Sequence, residues 1–440
     1  MIGDRIEVNI AGGLDVELPK MVKVRQLFAS QKLDSVAASV MEQFKSPDIR
    51  DKVRPGMTVA VGCGSRGVAN VAECAKTVIA ELKALGAEPF IFPAMGSHGA
   101  ASAEGQVKVL ASLGIDENSM GCPIHSSMEV VELGKLDDGT PIWCDRHAAE
   151  ADAIALVCRV KAHTNFRAPI ESGIVKMLVI GMGKIAGASA IHWHGFDAFK
   201  DLLPKAGEFI MSRKNFLFGV AMVENAADQT ALVEIVPREK VLRREPELLA
   251  MSRALMPRLQ FDEIDVLVVD RMGKNITGAG MDPNVIGRNA RGAEWENKPR
   301  IKKIAVLGLT PETDGNATGV GCADVITMRL FREFDPGKTY ANVIAATLLD
   351  GAAIPMIMNT DKEAVQLAAK TVVRTQPKDT RIVHIPNTLE IIDIMVSEPL
   401  LPYVRENPSM FEVRGVPEPF DFDADGALTA LPTHNAAGDQ

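Results

Sequence analysis

Residues 57–67, MTVAVGCGSRG, run directly into residues 68–87, VANVAECAKTVIAELKALGA. The first is a short apolar run that breaks into a glycine loop, the pattern of a strand buried on both faces. The second repeats apolar residues at helical spacing and stops at a glycine, as an amphipathic helix does. Residues 88–100, EPFIFPAMGSHGA, repeat the form and lead into a helix over about 102–113. Residues 151–166, ADAIALVCRVKAHTNF, give the strand and loop a third time. Strand–loop–helix units build parallel sheets with helices on the faces. In such sheets the loops at the carboxyl ends of the strands converge on one crevice. The three loops CGSRG, GSHG and KAHTNF are therefore predicted around a single pocket.

The remaining chain extends this α/β reading. Residues 5–10 and 14–18 alternate apolar and polar, as a half-buried hairpin would. A second block opens at FDEIDVLVVDRMGKNITGAG, 261–280, followed by a strand at 301–309 and helices near 322–332, 340–350 and 361–375. The predicted architecture is two α/β domains with parallel or mixed sheets flanked by helices and the active site in the cleft between them. The expected divisions are a cofactor-tethering and catalytic domain over 1–260, a second α/β domain over 261–415, and a loosely ordered tail over 416–440, which is polar and rich in Pro, Asp and Ala.

Composition limits what such a protein does. Apolar residues are 47 % and charged residues 24 % of 440, with 36 glycines but only two tyrosines and three tryptophans. That balance suits α/β layers better than a β-sandwich. A net charge of −9 without a dense basic block argues against nucleic acid and anionic membranes. There is no run of eighteen apolar residues and no recognisable signal peptide. The six cysteines show no paired spacing, so they read as reduced thiols of a cytoplasmic protein, and only Cys63 lies in a motif.

Several residues carry chemistry. His98, between two glycines after a strand, and His163, in the equivalent place after another, are candidates to take a proton on one face of a substrate and return it on the other. A single loop histidine is more often structural, but two at the mouths of parallel strands make a stronger case. Arg66 is either a solvated arginine or a fork for a carboxylate or phosphate, with Arg159 and Lys161 adding positive charge. Lys176 in GIVKMLVIG is flanked by apolar residues, and a desolvated lysine gains a lowered pKa and can bond covalently to a cofactor. His192 and His194 are candidate metal ligands. At i, i+2 they do not face one point on a helix, so only one of them would ligate. No phosphate loop, dinucleotide fingerprint or metal cage of C-x-x-C or H-E-x-x-H type is present.

These residues resemble the nickel-dependent lactate racemase family, from about residue 15 to 400 and most strongly over 55–195. Members use a nickel-pincer nucleotide, a pyridinium-3,5-bisthiocarboxylic acid mononucleotide joined to a lysine, with nickel held also by a histidine. The family places the tether in a small-Gly-x-x-Lys-x-x-x-x-Gly context, which SGIVKMLVIG matches at Lys176. The metal ligand follows sixteen residues later, at His192. The resemblance implies proton transfer by His98 and His163, carboxylate binding by Arg66, and a second substrate-binding lysine at Lys274. It departs in the loop Cys63-Gly64-Ser65-Arg66, where lactate racemases carry Asp-His-Thr-Arg, and in a longer segment between His163 and Lys176. Both changes touch the substrate pocket and point away from lactate, toward a racemase or epimerase of other 2-hydroxy acids. The implied partner is a small anionic 2-hydroxy acid. The oligomeric state, a homo-oligomer included, stays open. The rival reading is a non-catalytic protein that binds or stores a nickel-pincer nucleotide. It would need Lys176 and His192 but neither His98 nor His163.

Overall fold

The computed structural model describes residues 5–290 and 299–433. The chain forms two compact units, one of residues 29–256 and one of residues 1–28 with 257–440. The expected first domain over 1–260 is corrected by this division, because the amino-terminal strand β1, Met21–Gln26, is built into the other unit. Met21, Val22 and Val24 are buried there. A strand with apolar side chains on both faces needs a sheet with both faces covered, and that unit supplies one.

The unit of residues 29–256 holds β2 (Thr58–Cys63), β3 (Glu88–Pro93), a separate antiparallel hairpin of β4 (Val130–Lys135) and β5 (Pro141–Asp145), then β6 (Ala153–Arg159), β7 (Phe216–Glu224) and β8 (Thr230–Pro237). The main sheet runs β3-β2-β6-β7-β8. Its first four strands are parallel, and β8 returns antiparallel to β7. β2 lies between β3 and β6, with Val61 opposite both Ile91 and Ala155. The helix Val71–Ala84 links β2 to β3 and buries Cys74, Ala75, Val78, Ile79 and Leu82. Ser102 caps the helix Ala103–Ser112 by accepting from the Gly105 amide, close to the start expected from the sequence.

The second unit contains β9 (Glu263–Val269), β10 (Arg300–Val306), β11 (Val325–Thr327), β12 (Met356–Met358), β13 (Ile382–Ile385), β14 (Asp393–Ser397) and β15 (Phe411–Val413). With β1 they form one eight-stranded sheet, β12-β11-β10-β9-β13-β14-β1-β15. The first five strands are parallel, whereas β14, β1 and β15 pair antiparallel. β9 sends Leu267 and Val269 into one buried cluster and Val266 and Val268 into another, so the sheet is covered on both faces. The helix expected at 322–332 begins later, at Met328, because residues 325–327 are drawn into β11 as an inner strand.

Two further expectations are corrected. The alternating residues 5–18 form no hairpin. Ile6 is instead held by the Asn359 side-chain amide, which accepts from its N–H and donates to its carbonyl, and Val8, Leu14 and Leu18 pack on the second cluster. Nor are the described residues after 416 loosely ordered. Glu418 exchanges backbone hydrogen bonds with Met21, Phe420 stacks on Phe422, and the Leu428 and Leu431 amides donate to Asp361 and Asp270. The backbone of this segment makes the hydrogen bonds that hold it, which composition does not reveal. Residues 434–440 lie outside the described residues.

Because β1 separates β14 from β15, the second unit needs the amino terminus to complete its sheet, and each of its buried valines contributes about 1.5–3 kcal/mol. A fragment of residues 29–256 is expected to melt cooperatively by itself. A fragment beginning at residue 257 is expected to give dispersed amide NMR signals only after a peptide of residues 5–28 is added. Native-like signals without the peptide would contradict this.

Candidate active site

The order β3-β2-β6 brings the ends of three neighbouring parallel strands to one sheet edge. β2 ends at Cys63, whose thiol burial pushes well up and keeps unreactive. Ser65, two residues on, hydrogen-bonds His98 Nδ1 through its hydroxyl and so joins the loops after β2 and β3. Arg66 stays accessible, and its pKa is lowered by partial desolvation first and by Arg159 second. Arg159 itself is committed elsewhere. It pairs with Glu224 at 3.0 Å and donates to the Gly67 carbonyl, which anchors the Arg66 loop.

The loop after β6 is built around a carboxylate that the motif reading passed over. Glu171 is 1 % exposed. It accepts from the His163 amide at 2.6 Å and the Ala168 amide at 2.9 Å, and pairs with Arg253. Arg167 closes the loop by donating to the His163 carbonyl at 2.8 Å. The His163 ring packs on Phe166 and Phe196, and its Nδ1 accepts from the Asn165 amide at 3.0 Å. That contact places the ring proton on Nε2. Burial holds the His163 pKa well below its ordinary value, and the charges of Lys176, His192, Arg167 and Arg66 lower it further. The imidazole is therefore neutral at pH 7 and presents a donor at Nε2.

Residues 170–195 follow as two helical arms. Ile174–Lys176 is one α turn, Met177–Gly181 continues as a π turn with the Met182 amide donating to Met177, and Lys184–His192 forms the second arm at 107° to the first. Two glycines of the stretch are explained by close approach. A Cβ at Gly173 would lie 2.3 Å from Glu245 Oε1, and one at Gly181 would lie 2.5 Å from the Ala94 carbonyl oxygen. Glu245 uses that proximity to accept from the Val175 amide at 2.9 Å, capping the turn that carries Lys176. The Gly96 amide donates to the Gly181 carbonyl at 3.0 Å, which ties the His98 loop to the same turn.

Lys176 is half-buried, and its pKa falls to about 8, through desolvation first and Arg66 second, with Glu171 opposing. His192 stands on the second arm with Nδ1 2.6 Å from the Ala188 carbonyl. A ring N–H donating there leaves the Nε2 lone pair available as a ligand. Phe196 and Phe199 meet the His192 ring edge-on at 5.5 and 5.2 Å. Desolvation lowers its pKa; the Ala188 hydrogen bond opposes that shift and Lys176 adds to it. His194 is directed elsewhere, with Nε2 2.8 Å from Thr140 Oγ1 on the β4–β5 hairpin. Lys161 pairs through its backbone with Ser172, fixing the start of the first arm. Lys274 belongs to the other unit, in the turn after β9, where its amide donates to Thr313 and its ammonium to Gly278. Among the described residues no three His, Cys, Asp or Glu side chains form a metal cage. No single helix there is long and apolar enough to cross a membrane, and the one bent pair that passes by composition is these two arms, which are largely buried.

Two pH-dependent outcomes follow. At pH 8 half of the Lys176 amine is neutral, against under about 1 % of an ordinary lysine, so competitive acylation followed by peptide mass analysis should find it roughly 100-fold more reactive. Equal labelling of all accessible lysines would contradict this. Glu245 is pushed up to about 8 by burial, with the Val175 and Ile174 amides opposing. Between its unfolded value near 4.5 and about 8, the folded protein keeps a proton that the unfolded chain has lost. The stabilising contribution of this proton is complete below 4.5 and lost as pH rises through 8. Glu245→Gln should flatten the stability–pH profile in that window.

Residues 13–197 match the lactate racemase N-terminal domain. Among solved structures, the lactate racemase apoprotein from Thermoanaerobacterium thermosaccharolyticum aligns over 84 % of this chain and 95 % of its own, at 12 % identity and a TM-score of 0.51. A protein from Thermotoga maritima aligns over 72 % and 82 %, at 16 % identity and a TM-score of 0.47. Comparison with curated proteins gives no match. The solved lactate racemase establishes the likeness of fold, and the domain match covers the strand ends and both helical arms that hold Lys176 and His192. Residues 13–197 are thus similar to the lactate racemase N-terminal domain, and the chain shares its fold with the solved lactate racemase.

Proposed function

We propose that this protein racemises or epimerises 2-hydroxy acids with a nickel-pincer nucleotide tethered to Lys176. The observation that carries the proposal is that Lys176, His192, His163 and Arg66, drawn from three segments of one unit, are near enough that Arg66 lowers the Lys176 pKa and Lys176 lowers those of His163 and His192. A lysine with its pKa lowered to about 8 is a nucleophilic amine at neutral pH. An imidazole fixed at Nδ1 by a backbone carbonyl is oriented as a ligand at Nε2. Together they fit a group that needs one covalent anchor and one protein ligand to its metal. His194, hydrogen-bonded to Thr140, does not share that orientation.

When bound, such a group supplies a reversible acceptor for the α-hydrogen of the substrate as hydride, which avoids removing a weakly acidic α-proton. The chain does the rest. Arg66 clamps the substrate carboxylate from its accessible loop. His98 and His163 handle the hydroxyl proton as the alcohol becomes a ketone and returns. Their hydrogen bonds differ. The Ser65 hydroxyl both donates and accepts, so it tolerates a ring proton on either nitrogen of His98. The Asn165 amide only donates, so His163 rests with its proton on Nε2 and first serves as hydrogen-bond donor to the substrate oxygen. To accept a proton at Nε2 it must pass its own to Nδ1, which requires the Asn165 amide to turn away. General acid–base assistance of this type contributes roughly 10²–10⁴-fold. The loop Cys63-Gly64-Ser65-Arg66 shapes the pocket for a 2-hydroxy acid other than lactate.

Protein co-expressed with cofactor-making enzymes should carry a mass adduct and nickel. Lys176→Ala should lose the adduct, and His192→Ala should lose nickel while His194→Ala keeps it. In a screen of 2-hydroxy acids, His98→Ala and His163→Ala should each stop racemisation, with their single-turnover defects exchanged between the two enantiomers. Arg66→Ala should weaken both enantiomers alike by roughly 10–100-fold, the value of a charged hydrogen bond. An intact adduct in Lys176→Ala would overturn the tether. A fully loaded protein that racemises nothing would favour a binding or storage role.

A further inference from the structure

One more charged group lies in this unit, and none of the chemistry above uses it. The Lys184 side chain is 0 % exposed and stands 3.1 Å from Asp145 Oδ2, which is equally buried. Its ammonium also donates to the Pro93 carbonyl at the end of β3 and to Gln106 Oε1 at 2.9 Å. Gln106, itself fully buried, passes the contact on. Its amide donates to the carbonyls of Gly96 at 2.9 Å and His98 at 3.2 Å. Asp145 accepts from the Ala148 amide at 3.1 Å, and its own amide donates to the Met182 carbonyl at 2.8 Å. A buried ion pair costs desolvation that its Coulomb attraction does not reliably recover.

A second cost falls on the same residue. Lys184 has φ +52°, the left-handed region that a long side chain rarely adopts. It sits at the joint where the two helical arms diverge by 107°. Strained backbone of this kind persists only where surrounding contacts over-determine it, and such positions cluster at functional sites. Here the over-determining contacts are those of the Lys184 ammonium. They reach the backbone of the His98 loop in one direction and the β5 end in the other.

We infer that Lys184 is the positioning residue of this site. Through Gln106 it fixes the backbone that presents His98, and through Asp145 and Pro93 it fixes the joint that sets Lys176 and His192 relative to each other. The inference rests on the assignment of those three residues proposed above, but its test does not need the loaded enzyme.

Three variants of the full chain separate the contributions. Gln106→Leu keeps the Lys184–Asp145 pair but removes the Lys184–Gln106 hydrogen bond, and with it the link to the His98 loop. Lys184→Met leaves Asp145 without its counter-charge. Lys184→Met/Asp145→Leu removes both charges and leaves no buried charge unpaired. Amide hydrogen exchange of residues 94–102 and 177–187 is read against β7, together with the ¹⁵N imidazole signals of His98. In Gln106→Leu, exchange over 94–102 should rise on the order of ten-fold and the His98 signals should shift, with 177–187 unchanged. In the double variant both segments should accelerate while β7 keeps its protection. If they accelerate only in step with β7, Lys184 serves stability alone and the inference fails. Should the charge variants not fold, Gln106→Leu decides alone, because native exchange and native His98 signals in it overturn the inference. Failure of the racemase reading would show separately, as a wild-type protein that takes up no adduct at Lys176.

Discussion

Because β2 hydrogen-bonds in parallel to β3 on one side and to β6 on the other, three strand ends meet at one edge of a single sheet. Everything proposed for the site depends on that pairing. The loops bearing Ser65, His98 and His163 have little in common in sequence, and each is held by different contacts. What they share is the distance fixed by neighbouring strands, about 4.8 Å apart. The Ser65–His98 hydrogen bond and the Gly96–Gly181 hydrogen bond are then local consequences. The two helical arms are likewise held against the end of β3, since Gly181 passes too close to Ala94 for any side chain.

The electrostatics of the site come from placing cations together in partly desolvated surroundings. Lys176, His192, Arg167 and Arg66 all oppose a charge on His163, and Arg66 opposes one on Lys176, with burial adding to both costs. The protein meets this by keeping His163 neutral and lowering the lysine toward neutrality. The acids nearby are mostly occupied. Glu171 is engaged by two backbone amides and Arg253, and Glu224 is held by Arg159. Such a field favours an anionic ligand and a nucleophilic amine.

Behind these groups lies a layer of buried polar contacts that carries the geometry. Glu245 caps the turn of Lys176 from a helix about seventy positions later, and Gly173 is a glycine because that carboxylate is there. Gln106 and Lys184 join the His98 loop to the joint between the arms. A catalytic constellation stays within a fraction of an ångström only when its neighbours are themselves locked by packing and hydrogen bonds. In this unit the locking groups are charged or amide side chains with almost no exposure.

The sequence by itself determined the α/β class, the strand–loop–helix units, and the loops in which His98, His163 and Arg66 would lie. Those features are local: apolar runs, helical periodicity and glycines act over a few residues and leave their mark in order along the chain. Lys176 stands out as an amine in an apolar run, whereas the choice of His192 over His194 rests on the resemblance to lactate racemases and not on the residues alone. What only the tertiary structure decided is everything that pairs distant positions. β1 alternates too little to announce its sheet, and its partners β14 and β15 lie some 370–390 residues away. The segment after 416 reads as polar coil, yet it is held by Met21, Asp361 and Asp270. Glu171, Glu245, Gln106 and Lys184 carry no motif. Their roles arise because a buried charge or amide must find partners wherever the fold brings them, and sequence spacing does not encode that requirement.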